Sequence, residues 1–345
     1  MTAIAVVIYH VFYMYNTVGV TGGLPRTDVT PQLYDLILYI IYPWLMPIFF
    51  IISGASSRFY LEKHTHKEYI SSRTTKLLVP STIGLVAFQF IQGYVSMALN
   101  DAITDEIPAF VLPIVCALSG QGVLWTVQMM WLFSLLLVLI RKAEKDKLWK
   151  VCAKADLPVL LVLVVPVWLS AQVLNTPVIV VYRFGLYGIC FLLGYFVFSH
   201  DEVIERMKKQ LVFLILPAAV MGAAFCAVYF GRNYADAPVY RTPAFAAYGW
   251  FACLAIIGAA AKYLNFTNNV FDWVRKRSFG LYVFHYLGIS TVALCIAKPA
   301  LLPMGAVYVI SLAAGFAAGY GLNFIISRLP FFRWAVLGIK KKKEQ

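Results

Sequence analysis

Two histidines lie inside strongly apolar segments, where ionisable side chains are rare. His10 interrupts the opening stretch MTAIAVVIYHVFYMYN, and His285 follows Tyr282 by three residues in SFGLYVFHYLGI, on the same face of a helix. An imidazole takes up or releases a proton near neutral pH, as the activation of a hydroxyl acceptor requires. His10 is therefore a candidate catalytic base, although a hydrogen bond between helices would explain its presence equally well.

Two basic residues lie three positions apart in SSRTTKLLVP, where Arg73 precedes Lys76. This spacing predicts two cations on one face of a helix, an arrangement that can hold phosphate groups. The alternative is that both residues only anchor the helix end at the cytoplasmic membrane surface. The sequence leaves both interpretations open.

Four further polar or aromatic residues are candidates for the lining of a substrate cavity. Trp125 and Gln128 stand at helical spacing in GVLWTVQMMW, and an amide in hydrocarbon needs a partner. Arg183 opens VYRFGLYGIC, and it either reaches the membrane interface or holds an acceptor or an oxyanion. Ser53 precedes Gly54 at the end of YPWLMPIFFIISG, a segment equally typical of a helix kinked by proline that packs closely against a neighbour.

The sequence offers no other catalytic pattern. It contains no cysteine or histidine spacing typical of a metal site, no glycine-rich phosphate loop and no G-x-S-x-G elbow. His64, His66 and His200 lie among charged residues and are expected to be solvated or inert. The residues therefore predict no metal, and they do not support a soluble hydrolase.

The composition is that of an integral membrane protein. The 345 residues are 61% hydrophobic and only 13% charged, whereas soluble domains are roughly 45 to 50% apolar and about 25% charged. A net charge of +13 could suggest nucleic-acid binding, but that function requires a basic face on a water-soluble surface. Here the charges form short clusters between apolar runs, so we expect membrane lipid rather than nucleic acid as the partner.

Ten apolar windows approach the length of about 20 residues that crosses a bilayer. They cover 2–16, 33–56, 77–99, 121–140, 155–174, 178–198, 211–231, 244–264, 279–297 and 304–326. The segment 109–119 is too short to span and contains a proline, which favours a re-entrant or interfacial piece. We therefore predict an all-α integral membrane bundle of about ten helices that forms one domain over 1–345.

The distribution of basic residues predicts the orientation. Most of the 29 lysines and arginines fall in alternate connectors, and such residues resist translocation. Both termini are therefore expected in the cytoplasm, with 327–345 as a basic tail. In this topology His10 lies in the outer half of the membrane, whereas His285 lies nearer the cytoplasm.

Taken in order along the chain, several of these segments resemble the membrane-bound acyltransferase family 3, which includes bacterial O-acetyl and O-succinyl transferases. The segments are His10 in helix one, MPIFFIISG, SSRTTKLLVP, VLWTVQMMW, RFGLYGICFLLGYF and GLYVFHYLG. The resemblance implies a protein of the bacterial cytoplasmic membrane that needs no tightly bound cofactor. It would move an acetyl or succinyl group from cytoplasmic acetyl-CoA or succinyl-CoA to a hydroxyl of a glycan, a lipid-linked sugar or another cell-envelope acceptor.

The same resemblance implies roles for individual residues. His10 matches the essential histidine of the first helix, as a general base or a transient acyl carrier. Arg73 matches the first arginine of an R-x-x-R motif that binds acyl-CoA, and Lys76 replaces the second arginine, which keeps the charge but loses the bidentate fork. The family also places an arginine about ten residues before the histidine, and counting back from His10 runs off the chain. We therefore expect the first helix to lack its N-terminal part.

Two other functions remain compatible with the same residues. A transporter would use the intramembrane histidines and arginines as a path for substrate or protons, and it would be expected to contain two related halves. No strong internal repeat is visible in the sequence. A membrane sensor or a scaffold for a partner protein would need none of the catalytic chemistry.

Overall fold

The computed structural model describes residues 2–103, 107–176, 181–236 and 238–340. The described residues are predominantly helical, and among them the only β-bridge pairs Asn175 with Arg183. The α-helices in chain order are α1 (Thr2–Met14), α2 (Leu36–Leu61), α3 (His66–Arg73), α4 (Val79–Gly84), α5 (Phe90–Leu99), α6 (Leu112–Ser119), α7 (Trp125–Glu144), α8 (Lys147–Cys152), α9 (Leu157–Val162), α10 (Val164–Ser170), α11 (Phe184–Phe196), α12 (Asp201–Lys209), α13 (Leu211–Tyr229), α14 (Pro243–Tyr263), α15 (Asn269–Val292), α16 (Met304–Ile326) and α17 (Pro330–Leu337).

Three π-helical segments interrupt or extend these helices. They are Thr74–Leu78, Leu85–Gln89 and Ala293–Ala297. The first two join α3, α4 and α5 into one helical span of 34 residues, His66–Leu99. Such wide turns are rare in helices and are frequent at functional sites.

Within the described residues, seven helical segments are long and apolar enough to cross a membrane. They are Leu33–Leu61, His66–Leu99, Gly122–Glu144, Leu211–Tyr229, Pro243–Tyr263, Asn269–Ala297 and Met304–Ile326. An eighth is added if Phe184–Phe196 and Asp201–Lys209, which meet at a bend of 100°, are counted as one span. The chain is thus a multi-pass membrane protein, and its predicted helical class is confirmed.

Two of the ten predicted windows contain only shorter apolar helices. These are Thr2–Met14 and Leu157–Ser170. Some predicted features lie outside the described residues. These are the first three residues of the window 178–198, the last five residues of the predicted tail, and Asp105 and Glu106. The remaining part of the tail is not an extended segment, because it contains α17, whose Ala335, Val336 and Leu337 are buried.

The chain divides into two compact units. The first unit comprises Met1–Thr30, Ser71–Trp131 and Asn268–Gln345, and the second comprises Pro31–Ile70 and Leu132–Thr267. In the first unit α15 packs against α1, α5 and α16, and in the second unit α2 packs against α11 and α14. Both candidate catalytic histidines belong to the first unit.

Polar side chains fix the start of helices whose interiors are almost entirely apolar. Asn268 accepts a hydrogen bond from the backbone of Phe271 at the start of α15, at 2.8 Å. Thr242 does the same for Phe245 at the start of α14, at 3.2 Å. Such caps satisfy backbone donors that the first turn of a helix leaves unpaired. In α15 the cap at Asn268 lies eleven residues before the apolar window that begins at 279, so the helix includes a charged segment that hydropathy assigns to a connector.

Glycines permit very close contacts between helix backbones. A Cβ atom at Gly54 would overlap the carbonyl oxygen of Phe191, and one at Gly194 would overlap that of Ile51. The close packing predicted for the end of the second helix is therefore confirmed. The helix Leu36–Leu61 also contains Pro43 and Pro47, as the sequence predicted.

In the first unit a glycine likewise permits close contact between the backbones of α5 and α6. A Cβ atom at Gly93 would overlap the carbonyl oxygen of Cys116. The segment 109–119, predicted as a re-entrant or interfacial piece, contains α6, which is thus held against α5 by direct backbone contact.

We expect the substitution Gly93→Ala to lower the stability of the protein by about 1 to 3 kcal/mol, the usual cost of overpacking. The matched control is Gly321→Ala, also in a helix interior of the first unit, where the added Cβ meets nothing within 4 Å. Thermal unfolding in detergent should show a lower midpoint for Gly93→Ala only. Equal midpoints for the two variants would contradict the close contact between α5 and α6.

Candidate active site

The two intramembrane histidines of the first unit face each other. His10 on α1 and His285 on α15 have ring centroids 5.0 Å apart, and His10 Nδ1 lies 3.1 Å from His285 Nε2. His285 is fully buried, whereas His10 is half-buried. Residues separated by 275 positions in the chain thus form one hydrogen-bonded pair.

The neighbouring carbonyl groups determine which nitrogen of His285 carries the proton. His285 Nδ1 lies 2.9 Å from the carbonyl oxygen of Tyr282 and 3.0 Å from that of Leu281. Because a carbonyl oxygen only accepts hydrogen bonds, the proton of the neutral ring is on Nδ1. Nε2 of His285 is therefore a hydrogen-bond acceptor, and it faces His10.

The same reasoning assigns the tautomer of His10. Its Nδ1 lies 2.9 Å from the carbonyl oxygen of Val6, so this nitrogen carries the proton. The Nδ1–H group donates to Val6 and to His285 Nε2. In the neutral ring Nε2 is then unprotonated, and its lone pair is available to a substrate.

The two histidines differ in burial. His10 is half-buried, whereas His285 is fully buried. An unprotonated imidazole nitrogen on a ring that is not fully buried is what a general base or a nucleophile requires.

Three tyrosines surround the His10 ring. The ring centroids of Tyr9, Tyr13 and Tyr286 lie 5.2, 5.7 and 5.3 Å from that of His10, each in an edge-on orientation. These contacts restrict the rotation of the imidazole. They leave His10 in an aromatic setting from which bulk water is largely excluded.

The loop that follows α1 is tied to the same tyrosines. Tyr13 donates to the carbonyl oxygen of Thr21 at 2.6 Å, and Tyr286 donates to that of Gly22 at 2.7 Å. Gly22 has a φ of 110°, and a Cβ atom there would overlap the Tyr13 hydroxyl. Only glycine fits this position, so the loop is built to lie close to the histidine pair.

His285 lies near the middle of its helical span. With the π-helical segment at its C-terminal end, this span covers Asn269–Ala297. The hydropathy window 279–297 is shorter because the preceding residues Arg275, Lys276 and Arg277 are charged. The depths of the two histidines in the membrane stay predictions.

Tyr282 belongs to a polar cluster next to the histidine pair. Its hydroxyl donates to the carbonyl oxygen of Val123 at 2.7 Å and is hydrogen-bonded to the Thr126 hydroxyl. Tyr282 is 5% exposed and shares its turn of α15 with His285. These bonds fix α15 against the start of α7, and with it the position of His285.

Gln128 finds the partners that its position in an apolar helix requires. It accepts from Gln121 at 2.7 Å and donates to the carbonyl oxygen of Ser81 at 3.0 Å. One turn earlier, Trp125 is half-buried. The structure places both residues in the first unit, and their contact with a substrate remains a prediction.

Arg73 and Lys76 do not lie on a regular α-helix. Arg73 is the last residue of α3, and the π-helical segment Thr74–Leu78 contains Lys76. The wider turn rotates the two side chains apart compared with the predicted α-helical spacing. Arg73 is half-buried and Lys76 is exposed, so the two cations do not share one simple face, although both belong to the first unit.

Arg183 and Ser53 belong to the second unit. Arg183 is 1% exposed; it donates to Tyr42 Oη at 2.7 Å and to the carbonyl oxygen of Ala235 at 2.8 Å, and it stacks on Tyr240 at 3.9 Å. Its guanidinium is enclosed by protein side chains, and its role in holding an acceptor or an oxyanion remains a prediction. Ser53 is buried, and its role as a cavity-lining residue remains a prediction.

The other histidines differ in their surroundings. His64 is exposed, as predicted, and stacks on Tyr60 at 4.0 Å. His200 was expected in a charged turn, but it is buried and stacks on Trp149 at 4.1 Å. The other face of Trp149 is covered by Arg58, whose guanidinium lies 3.8 Å from the ring.

Sequence reasoning missed Arg58. It is 5% exposed and forms ion pairs with Glu62 at 2.9 Å and Asp146 at 2.5 Å. The i, i+4 spacing of Arg58 and Glu62 was the available signal. This cluster lies in the second unit and holds the charged connector after α7 against α2.

In the part of the chain that the structure describes, no group of three or more histidine, cysteine or carboxylate side chains could hold a metal ion.

Comparison with known proteins yields one family. The model of an acyltransferase domain matches residues 1–328, which include both histidines and Arg73 and end before α17. No curated protein matches the chain, and no solved structure does.

Proposed function

The chain belongs to acyltransferase family 3, and from this premise we propose that it transfers an acyl group from cytoplasmic acyl-CoA to a hydroxyl of an acceptor beyond the bacterial cytoplasmic membrane. An acetyl or succinyl group is proposed as the cargo, and a glycan, a lipid-linked sugar or another cell-envelope component as the acceptor. The observation that carries the proposal is the pair of His10 and His285, in which His10 Nε2 is unprotonated and the His10 residue is half-buried.

In the proposed reaction His10 acts as the general base. Its Nε2 accepts the proton of the acceptor hydroxyl while the hydroxyl oxygen forms a bond with the carbonyl carbon of the thioester. The carbon–sulfur bond then breaks, and the protonated imidazole returns the proton to the departing CoA thiolate. The products are an acyl ester and free CoA, and His10 regains its starting tautomer.

His285 is proposed as a positioning residue. Its Nδ1–H group is held by the carbonyl oxygens of Leu281 and Tyr282, so Nε2 presents a fixed acceptor to His10 Nδ1–H. This bond keeps the His10 proton on Nδ1 and directs Nε2 to the substrate. A carboxylate in the same place would add a negative charge, whereas His285 orients the base without one.

The donor is proposed to bind at Arg73 and Lys76. Both are cations in the first unit, and phosphate groups of CoA are the ligands that such side chains bind. The π-helical turn between them gives the site a geometry different from two arginines on one α-helical face.

Tyr282, Trp125 and Gln128 are proposed to border the path of the acyl group. Tyr282 donates a hydrogen bond to the carbonyl oxygen of Val123 at 2.7 Å, and Gln128 donates one to that of Ser81 at 3.0 Å. These bonds fix both side chains in a segment that must exclude water. Arg183 and Ser53 are proposed to line a cavity within the second unit.

The proposed function predicts the products of a vesicle assay. Inverted membrane vesicles that contain the chain and receive acetyl-CoA labelled in the acetyl group should release CoA and accumulate label in an envelope glycan or lipid-linked sugar. Vesicles without the chain are the control, and succinyl-CoA tests the second cargo. Label that enters the vesicles without cleavage of the thioester would instead indicate a transporter.

A further inference from the structure

Arg333 is a partly buried cation whose charge is not balanced within the described structure. Its Nε atom is fully buried and has no hydrogen-bond partner there, and no ion pair joins it to a described carboxylate. Buried polar groups without a partner are rare in proteins. A guanidinium most often binds carboxylate or phosphate groups, through two parallel hydrogen bonds.

The helix that carries Arg333 turns this side chain towards the protein. Val336 and Leu337, which follow Arg333 by three and four residues, are 1% and 4% exposed. Residues at this spacing share a face of a helix, so Arg333 lies on the packed face of α17. That face contacts α4 in the first unit, where the Ala335 carbonyl group approaches Gly84.

The end of α17 also brings Arg333 close to the proposed donor site. A Cβ atom at Gly338, where φ is 64°, would lie 2.6 Å from the Thr75 carbonyl oxygen and 2.7 Å from Lys76 Cα. Helical rise places Arg333 roughly 8 Å along the axis from Gly338. Arg333 therefore lies in the same region of the first unit as Lys76, and the exposed Lys340 follows Gly338 by two residues.

The surrounding sequence supplies no acidic residue to neutralise these cations. Between Glu68 and the end of α5, and again between Asp272 and Glu344, the sequence contains no aspartate or glutamate. The positive charge of this region is thus complementary to an anionic ligand.

We propose that Arg333, with Lys76 and Lys340, binds a phosphate ester where α17 packs against the π-helical segment Thr74–Leu78 and α4. Two ligands carry such a phosphate ester. The first is the nucleotide of an acyl-CoA donor, and this assignment rests on the proposed function. The second is the headgroup of an anionic phospholipid, and this assignment is independent of the proposed function.

The first experimental arm measures binding of adenosine 3′,5′-bisphosphate, the nucleotide part of CoA, to the full chain in nanodiscs of neutral phosphatidylcholine. Arg333→Gln should weaken binding about tenfold, since one charge-assisted bidentate contact is lost, and Arg333→Lys should weaken it less. The control is Arg328→Gln, which removes the same charge from an exposed arginine that stacks on Phe324. Repeating the measurement in the His10→Ala background keeps the result independent of turnover.

The second arm tests the lipid source with nanodiscs that contain anionic phosphatidylglycerol. If the lipid is the ligand, this lipid should raise the unfolding temperature of the wild type and of Arg328→Gln but not of Arg333→Gln. Loss of either nucleotide binding or lipid stabilisation in Arg333→Gln alone supports the site and identifies its source. Wild-type behaviour of Arg333→Gln in both arms, or equal losses in Arg328→Gln, would overturn the proposal.

Steady-state kinetics of the active protein distinguish a loss of donor binding from misfolding. If the nucleotide is the ligand, Arg333→Gln should raise the KM for acetyl-CoA about tenfold and leave the KM for S-acetylpantetheine, which has no phosphate, unchanged. A misfolded variant would change both donors alike.

Discussion

Replacement of His10 by alanine is expected to lower the rate of acyl transfer by about 10²- to 10⁴-fold, the range in which general acid–base groups contribute. The variant removes His10 Nε2, the unprotonated nitrogen of the half-buried histidine of the pair. His285 cannot take over this role, because it is fully buried and its Nε2 faces α1. The measurement is acceptor-dependent release of CoA thiol by the purified chain in nanodiscs.

A second histidine serves as the control for this variant. His64 is exposed and stacks on Tyr60, and it lies outside the first unit. His64→Ala should therefore retain the wild-type rate. If His10→Ala and His64→Ala transfer the acyl group equally fast, His10 is not the base.

Replacement of His285 by alanine is expected to lower kcat by roughly 10²-fold and to leave the KM for acyl-CoA unchanged, since small errors in the position of a catalytic group cost about this much. Without His285 Nε2, His10 keeps only its bond to Val6 and loses the partner that directs its ring. His285→Gln offers an amide oxygen as an acceptor and should recover part of the rate. Steady-state kinetics with varied acyl-CoA distinguish the two parameters.

Ser290 provides a matched structural control on the same helix. It is fully buried, donates to the Tyr286 carbonyl oxygen at 2.8 Å and accepts from Gln92 at 3.1 Å. Ser290→Ala removes a buried polar group from α15 without touching either histidine. If it lowers kcat as much as His285→Ala does, the effect of His285 is structural rather than positional.

Much of the fold could be predicted from the sequence because hydropathy reports which segments are buried in lipid. The helix ends could not be predicted in the same way. α15 begins at Asn269 with a side-chain cap, and its first turns contain Arg275 and Arg277, so the helix extends well beyond its apolar part. Local sequence did predict where proline and glycine affect the packing of helices, and the backbone contact at Gly54 confirms this for glycine.

The candidate site was predicted in part for a similar reason. His10, Tyr282 and His285 were detectable because polar side chains in apolar helices need partners. The pairing of the histidines was not detectable, because it depends on how α1 packs against α15. Local sequence also gave no sign of the π-helical turn at Lys76, or of the burial of Arg183 among tyrosines.

The most direct test of the account is chemical rescue of His10→Ala with imidazole. His10 is half-buried rather than sealed, so added imidazole should enter the space left by the side chain and restore acyl transfer to the same acceptor in a saturable way. The account predicts at least a tenfold rise in the rate of CoA release for this variant and none for His285→Ala, whose site is sealed. A His10→Ala protein that already transfers at the wild-type rate before imidazole is added would contradict the central claim.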